Sequence, residues 1–363
     1  MRTSGLDGRP ILLLGLLVGL HIALPRPVFA QQARPSMLAI DTSVALDETL
    51  DATAGDYSTG VIMDAVVSAD LGHGFEAIVR PFVQRLGSGA WNRQIWVAAL
   101  RYERSGPIGL RVDAGLIPSP IGLANLTLRP QQNPTIAQPA SLFTPLPPID
   151  VRAPRMTLLG AVYPYGGQVT VSSSRWDARA AIVDTSPLRT RRIFAEVNPP
   201  RFANVVVGGG VTPIVGLRIG ASVTHGGWQR ANETPFATAD RDATLVTVES
   251  EFAFAYTKLA GEWVRDRIET SGGDRIASGW FVQGQQTLAP RWFAAGRVER
   301  MSSPLVFGIL TQEQHLTGTE EVLGFRVTPE ITVRLGHRAR RGFGRPGYTH
   351  LAAVSVVWWR RWI

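Results

Sequence analysis

The chain of 363 residues contains no cysteine and a single lysine, Lys258. Without disulfides, an exported protein of this length needs a large apolar core or a lipid environment to hold its fold. The net charge of +8 comes almost wholly from arginine. Two arginine clusters, TRR at 190–192 and RARR at 338–341, are interpreted as solvated loop charge. Because the other arginines recur singly beside acidic residues, we expect no nucleic-acid partner.

Long apolar runs are missing as well, except at the start of the chain. Arg2 and Arg9 precede the apolar run ILLLGLLVGL, and a site of small residues ends at Ala30. This order is typical of a secretory signal peptide over residues 1–30, cleaved after Ala30. A retained membrane anchor is the alternative, but the run is short beside the roughly 20 residues of a spanning helix. The mature chain, residues 31–363, is then expected to be one domain.

Catalytic and metal-binding patterns are also absent. Ser222 and His225 lie three residues apart, which on a strand sends their side chains to opposite faces. The histidines are scattered, and no HExxH spacing occurs. Glu249 and Glu251 have the spacing of a glycosidase pair, but two neighbours on one charged strand face explain them more simply. We therefore predict no catalytic residue, no metal, no cofactor and no enzyme.

What the chain does contain is a period of two. In TLVTVESEFAFAY, residues 244–256, Val246 and Val248 share one face while Glu249 and Glu251 share the other. The same alternation of apolar and charged residues occurs at 94–103 and at 109–116. This spacing predicts β-strands that are apolar on one face and charged on the other.

Short turns and longer polar connections alternate along the chain. Tight turns are predicted at Pro213 and Pro329. They lie in two similar sequence segments, VTPIVGLRIG at 211–220 and VTPEITVRLG at 327–336. Eighteen strands follow from this rule, with both chain ends on the side of the short turns. The predicted strands are 37–46, 59–70, 74–85, 93–104, 108–117, 155–163, 168–175, 178–185, 189–197, 203–212, 216–227, 242–254, 258–268, 276–287, 291–301, 317–328, 331–340 and 349–362. The number falls to sixteen or fourteen if the weak runs near 40 or at 170–197 are not barrel strands.

So many consecutive hairpins make a sheet too large to stay open, and closing it removes its edges. We predict an all-β, transmembrane, antiparallel up-and-down β-barrel of about 16–18 strands, with short periplasmic turns and longer outer loops. Apolar faces would contact outer-membrane lipid, and charged faces would line a wet lumen. Trp358, Trp359 and Trp362 are expected near the interface with the headgroups. The expected location is the bacterial outer membrane.

The corner GLIPSPIG, residues 115–122, resembles the corresponding corner of bacterial outer-membrane porins of the phosphate-selective type. The resemblance implies a water-filled channel, general or anion-preferring, for small hydrophilic solutes and ions, and a possible homotrimer. Phosphate selectivity in that family is associated with lysines lining the channel, and this chain has only one lysine. Barrels of this class commonly end in an aromatic residue, whereas this one ends in Ile363.

Assigning the polar face of each strand gives a set of expected pore-lining residues of both signs. The set is Arg80, Arg101, Glu103, Arg111, Asp113, Arg218, Glu249, Glu251, Glu262, Arg297, Glu299, Arg326 and Arg334. Because the two signs nearly balance, we expect weak selectivity, at most mildly anionic. The competing interpretation is that many of these residues pair across strands and only keep the lumen wet.

Residues 118–153 form the longest connection and are rich in proline. Loops of this length are uncommon unless they are functional. We hypothesise that this segment folds into the barrel and narrows it, with Arg129 near the constriction; an ordinary outer-surface loop is the alternative. Three functions stay open from the sequence: a diffusion porin, a closed barrel acting as a surface or adhesive protein, and a barrel enzyme acting on lipid or saccharide.

Overall fold

The computed structural model describes residues 37–87, 89–123, 128–150, 156–159, 163–189, 201, 203–233, 237–307 and 310–362. The predicted signal peptide, residues 1–30, lies outside this range. No helix in the described ranges is long and apolar enough to cross a bilayer.

Sixteen antiparallel strands form a closed barrel, in which each strand pairs with the next and the last pairs with the first. They are β1 (Leu38–Asp51), β2 (Asp56–Gly72), β3 (Phe75–Leu86), β4 (Asn92–Arg104), β5 (Gly109–Leu116), β6 (Tyr165–Ser172), β7 (Trp176–Val183), β8 (Asn204–Ile214), β9 (Leu217–Gln229), β10 (Arg241–Phe254), β11 (Thr257–Thr270), β12 (Gly273–Ala289), β13 (Trp292–Phe307), β14 (Leu310–Arg326), β15 (Ile331–Arg341) and β16 (Thr349–Arg361). A short helix, α1 (Ala140–Phe143), lies between β5 and β6. The predicted fold class is confirmed, with sixteen strands rather than the eighteen counted.

The barrel has two unlike ends. At one, here called the short-turn end, lie the two chain termini of the barrel and the turns 73–74, 105–108, 173–175, 215–216, 255–256, 290–291 and 327–330. At the other, the loop end, lie the connections 52–55, 87–91, 117–164, 184–203, 230–240, 271–272, 308–309 and 342–348. The connection between β13 and β14 is short because both strands extend beyond their predicted limits, with Phe307 opposite Leu310.

The described strands close the barrel wall without two predicted strands, 155–163 and 189–197. β5 pairs directly with β6 and β7 directly with β8, so neither segment lies between its neighbours in the sheet. Of the described residues in these segments, Met156 and Arg189 form one isolated antiparallel bridge. The other residues of 189–197 lie outside the described ranges.

The error at 155–163 has a physical reason. Leu158 and Leu159 are fully buried, and Tyr163 is 1% exposed. Their apolar character serves packing inside the barrel, whereas the strand prediction assumed a face toward lipid. Apolar periodicity over a few residues does not distinguish these two environments.

The wall itself alternates as predicted over most of its strands. On β10, Val246 and Val248 are 37% and 45% exposed on the outside, while Leu245, Thr247 and Glu249 point inward and are buried. An apolar exterior of this kind suits contact with lipid. The inward face carries apolar as well as charged residues, which corrects the expectation of a uniformly charged lumen.

The aromatic residues of β16 also divide between the two faces. Neighbours on a strand point to opposite sides, so Trp358 and Trp359 cannot both face lipid. Trp359 donates its indole hydrogen to the carbonyl oxygen of Pro329 at 3.0 Å, and Trp362, beyond the strand, donates to Thr42 Oγ1 at 2.8 Å. All three residues lie at the short-turn end, but Trp359 contributes to the interior.

Candidate functional site

The interior of the barrel contains a folded segment, here called the plug, formed by residues 117–123 and 128–150. Its apolar side chains are buried: Ile117, Ile121, Leu142 and Ile149 are at most 1% exposed. They belong to one apolar cluster with inward-facing residues of the wall, which include Leu245, Ile268, Phe281, Met301 and Leu316. Burial of this apolar surface is the main force that holds the plug inside.

The plug leaves the wall through the corner at 115–122. Gly115 and Gly122 both have a positive φ, +117° and +77°, a region that suits glycine. A Cβ atom on Gly122 would lie 2.5 Å from Glu262 Oε1 and 2.7 Å from Leu159 Cδ2. The absence of a side chain therefore lets the plug approach β11, where the backbone N–H of Leu123 donates to Glu262 Oε2 at 2.9 Å.

Arg129 joins the plug to the opposite side of the barrel. Its guanidinium donates to both carboxylate oxygens of Asp41 on β1, at 3.0 and 3.1 Å, and to Asp64 Oδ2 on β2 at 3.2 Å. Asp64 also binds the guanidinium of Arg80 from β3, with two contacts of 2.9 Å. The side chain of Arg129 is 11% exposed and that of Asp64 is fully buried. Arg129 therefore acts as an anchor of the plug in a paired, hydrogen-bonded cluster.

Arg80 is held on its other side by aromatic rings. Phe82 and Trp96 stack with ring centroids 3.6 Å apart, and Trp96 stacks on Tyr163 at 4.9 Å. The Arg80 guanidinium lies 5.1 Å from the Trp96 centroid, within the range of a cation–π contact. This cluster ties β3 and β4 to the connection that contains the plug.

A second clamp joins the plug to β13 and β14. Arg297 Nη1 donates to Thr135 Oγ1 at 2.7 Å and to the carbonyl oxygen of Ala137 at 2.8 Å, while Nη2 reaches Glu320 Oε2 at 2.8 Å. Glu320 Oε1 in turn accepts the backbone N–H groups of Ile136 and Ala137 at 3.0 and 2.9 Å. Wall charges here satisfy backbone groups that would otherwise be buried without partners.

Arg334 on β15 extends this clamp. Its Nη1 donates to the carbonyl oxygens of Asn133 and Thr135 at 2.9 and 2.7 Å, and its Nη2 donates to Ser355 Oγ at 2.9 Å. Further toward the loop end, the N–H of Ala140 donates to Glu299 Oε2 at 2.8 Å. We call the inward faces of β1–β3, β11 and β13–β15, which hold the plug, the covered wall.

The inward faces of β4–β10 carry a different pattern, here called the charged wall. On β5, Asp113 accepts hydrogen bonds from Arg101 at 2.8 Å and from Arg111 at 2.7 Å. Arg101 also lies 3.5 Å from Glu76. The side chains of Arg101 and Arg111 are 21% and 39% exposed, so these groups remain accessible to water.

A second network of the charged wall spans β7–β10. Arg218 binds Asp177 through contacts of 2.8 and 2.9 Å and Glu249 Oε1 at 2.8 Å, and Arg179 lies 3.4 Å from the same Glu249 oxygen. Glycines make room for it. A Cβ atom on Gly210 would lie 2.8 Å from Arg218 Nη2, and the guanidinium can therefore lie flat against the wall.

No protein-family model matches the chain, and no curated protein is similar to it in sequence. Solved structures match it over nearly their whole length. OmpF of Salmonella typhi in complex with daunomycin has a TM-score of 0.61 at 9% identity, covering 89% of this chain and 97% of that one. OmpT of Vibrio cholerae in its trimer form has 0.57 at 8%, with 89% and 99% covered. An anion-selective porin of Comamonas acidovorans has 0.53 at 12%, with 90% and 98% covered. The chain has the fold of bacterial outer-membrane porins.

Within this porin fold, the sequence-predicted lining residues all occupy positions on the inward face, but they divide into two groups by exposure. Those buried beneath the plug or in ion pairs are Arg80, Asp113, Glu249, Glu262, Arg297, Glu299 and Arg334. Those at least partly exposed are Arg101, Glu103, Arg111, Arg218, Glu251 and Arg326. Of these thirteen residues, only the second group keeps substantial side-chain surface exposed on the inward face.

Sequence reasoning missed several charged groups that complete these networks. Asp41 and Asp64 bind the plug, and Asp177 and Arg179 belong to the charged wall. Alternation within their strands was a sufficient signal for these four. Glu320 is different, because Glu321 follows it and the sequence does not tell which of the two carboxylates faces inward.

The two arginine clusters identified in the sequence have different outcomes. RARR at 338–341 ends β15 and is not a loop, which corrects the interpretation from the sequence; alternation places Arg338 and Arg340 inward. Arg340 donates to Thr144 Oγ1 of the plug at 2.7 Å. The cluster TRR at 190–192 lies outside the described residues. Among the described side chains, no group of three His, Asp or Glu is arranged to hold a metal ion.

Proposed function

We propose that the protein is an outer-membrane porin that lets small hydrophilic solutes and ions diffuse along the charged wall, between that wall and the plug. This proposal depends on a difference between the two walls in how far their inward-facing charged residues are exposed. Charged groups of the covered wall form hydrogen bonds and ion pairs with the plug. Arg101, Arg111 and Arg218 of the charged wall, in contrast, keep 21%, 39% and 22% of their side-chain surface exposed.

The proposal includes weak selectivity. On the charged wall, Arg101, Arg111 and Arg218 each have a carboxylate partner within 2.8 Å. Paired charges leave little net field along the path, so we propose at most a mild preference for anions. The corner at 115–122 would be the only feature in favour of phosphate as a preferred anion, since the chain has one lysine.

The plug would set the width of this path. Conductance of the folded protein in planar bilayers, in salts of differing anions, tests the channel; deletion of residues 124–147 tests the constriction. We expect open-channel steps for the intact barrel and larger steps after the deletion. A gel comparison of boiled and unboiled samples shows whether each variant is folded. A folded intact barrel without conductance would overturn the porin, and unchanged conductance after deletion would overturn the constriction.

A second candidate is a closed barrel that serves as a surface protein. It is favoured by the apolar packing in the lumen, where Leu142, Leu158, Leu159 and Leu188 are fully buried. Such packing excludes water from the part of the lumen that it fills. The bilayer recording separates the two functions, because only the porin carries current.

Other parts of the proposal concern assembly and export. We propose cleavage after Ala30, insertion with the short-turn end toward the periplasm, and assembly as a homotrimer. A trimer form is known for OmpT of Vibrio cholerae, which shares the fold. We assign no catalytic residue and no cofactor to the barrel. Amino-terminal sequencing of the mature protein and crosslinking in membranes test the first and the last of these points.

A further inference from the structure

A cavity of about 420 Å³ lies inside the barrel near the short-turn end. Strands β8–β12 and the turn at Gly216 form its walls, and the plug contributes Gln132 and Pro134. The polar side chains around it, besides Gln132, are Thr212, Arg218, Glu251, Lys258, Gln283 and Gln285. The only lysine of the chain is therefore at this place.

The strand register fixes how these groups face one another. Glu251 on β10 lies opposite Ala260 on β11, and Gln283 on β12 lies on the other side of Ala260. Lys258 lies two residues from Ala260 on the same face, with Gln285 opposite it. Diagonal neighbours of this kind have Cα atoms about 7–8 Å apart in antiparallel sheets. The small side chain of Ala260 leaves an open floor between a carboxylate, an ammonium group and two amides.

The charges at this cavity are not equally available. Arg218 is engaged by Asp177 and Glu249, with contacts of 2.8 Å to each. Glu251 and Lys258, by contrast, form no ion pair within 4.0 Å with any described residue, and both are exposed, although Glu251 lies within electrostatic reach of Arg218, Glu249 and Asp177. The cavity therefore presents one unpaired negative and one unpaired positive group, held apart on a single face.

Gln283 adds an independent observation. The residue is only 4% exposed and lines the cavity, yet its Oε1 has no hydrogen-bond partner among the described residues. A buried acceptor without a partner lowers the stability of the folded protein. A ligand with N–H groups in the cavity would remove that cost.

We propose that this cavity is a binding site for small zwitterionic solutes, with the carboxylate of the solute at Lys258 and its ammonium group at Glu251. As a solute subsite, it rests on the proposed function. An anion meets attraction from Lys258 and repulsion from Glu251, and a cation meets the reverse. Only a molecule that carries both charges satisfies both groups, and its ammonium hydrogens also suit the free acceptor of Gln283.

The test uses the mature barrel in detergent and three probes with the same four-carbon chain: 4-aminobutanoate, butanoate and butylammonium. Isothermal titration calorimetry measures binding without reference to conductance. We expect 4-aminobutanoate to bind at least about tenfold more tightly than either singly charged probe, as expected from one additional charged hydrogen bond. Equal binding of butanoate or butylammonium would overturn the zwitterion site.

Variants make the test sharper. Glu251→Gln and Lys258→Met should each weaken binding of 4-aminobutanoate about tenfold. The double exchange Glu251→Lys with Lys258→Glu should restore it, because the probe binds in reverse. Arg300→Gln, on the exposed outer face, should bind as the unaltered protein does. If either single variant folds, as shown by the gel shift on heating, and binds 4-aminobutanoate with unchanged affinity, the inference is wrong.

Failure of this inference is distinguishable from failure of the porin. A barrel that conducts ions but does not bind 4-aminobutanoate overturns the zwitterion site alone. A barrel that binds the probe but carries no current overturns the proposed function. In a conducting barrel, 4-aminobutanoate should also reduce the current, and Lys258→Met should relieve that block.

Discussion

The covered wall and the charged wall belong to the same sheet and use the same residue types, yet their charges do opposite things. On the covered wall, Arg297, Arg334 and Glu320 bind backbone groups of the plug. On the charged wall, Arg101 binds Asp113 on the neighbouring strand, and Arg218 binds Asp177 and Glu249 on nearby strands. The first arrangement fixes a segment in place, and the second leaves charged groups at the edge of open space.

The contrast teaches that an inward-facing charge in a barrel is not by itself a pore-lining charge. A buried guanidinium surrounded by carbonyl oxygens behaves as part of a protein core, where losing one partner is costly. A partly exposed ion pair contributes little to stability. We propose that its effect is instead on ions and solutes in the lumen.

The largest effect is expected for Arg297→Ala. The substitution leaves Glu320 and the carbonyl oxygen of Ala137 without their buried partner, so the free energy of unfolding should fall by about 3–5 kcal/mol. Urea unfolding in lipid vesicles measures it, and larger conductance steps should accompany the loss. Arg101→Ala on the charged wall is the matched control and should cost about 1 kcal/mol or less. Similar losses for the two variants would contradict the distinction between the walls.

A smaller effect is expected where the plug approaches the covered wall. Gly122→Ala introduces a methyl group against Glu262 and Leu159 at a φ of +77°. Gly55 has a nearly identical φ of +75° with nothing within 4 Å, so Gly55→Ala carries the backbone strain alone. We expect Gly122→Ala to lose about 1–3 kcal/mol more than Gly55→Ala in the same urea titration, because overpacking adds to strain. Equal losses of unfolding free energy for the two variants would mean that the plug can move away from β11 without destabilising the barrel.

On the charged wall, the expected effect is on selectivity. Arg218→Gln removes a cation beside the proposed path, so the reversal potential in a salt gradient should move toward cation preference. Asp177→Asn should move it the other way. About 1 kcal/mol of lost interaction at 4 Å in water gives a change of up to roughly fivefold in the permeability ratio. Arg300→Gln removes the same charge on the outer face and should leave the potential unchanged; a shift there would break the assignment of Arg218 to the path.

The smallest effect is expected for Arg111→Gln. Arg111 is 39% exposed, and Asp113 keeps its second partner, Arg101, at 2.8 Å. The free energy of unfolding should change by less than about 1 kcal/mol. Urea unfolding and the gel shift check this. A loss as large as that of Arg297→Ala would show that the charged wall is also a structural core.

Much of the wall followed from the sequence because alternation of apolar and polar residues states directly which face each residue occupies. GLRVDAGL became β5, and TLVTVESEFAFAY became most of β10. QIWVAALRYE became part of β4, but a shift of register opposite Arg80 and Pro81 turns Trp96 inward, against the strict alternation. The prediction was wrong at 155–163; the wall also closes without 189–197, of which only Arg189 is among the described residues. An apolar run that packs inside a barrel and one that faces lipid have the same local composition, and only the neighbours distinguish them.

The site could be predicted only in part, for a similar reason. The inward position of residues such as Arg297 and Arg218 is a local property of their strands. Which of them meets the plug depends on contacts between residues far apart in the chain, such as Leu123 with Glu262 or Arg129 with Asp41. Sequence spacing carries no signal for such pairs.

The sequence by itself determined a cysteine-free, antiparallel wall of strands with short turns at one end, because a two-residue period and turn-forming residues are local. Tertiary structure alone decided that the barrel closes with sixteen strands. It also decided which charged residues bind the plug. The reason is that a buried polar group must find its partner in three dimensions. Which strands supply that partner is settled only when the barrel closes around its contents.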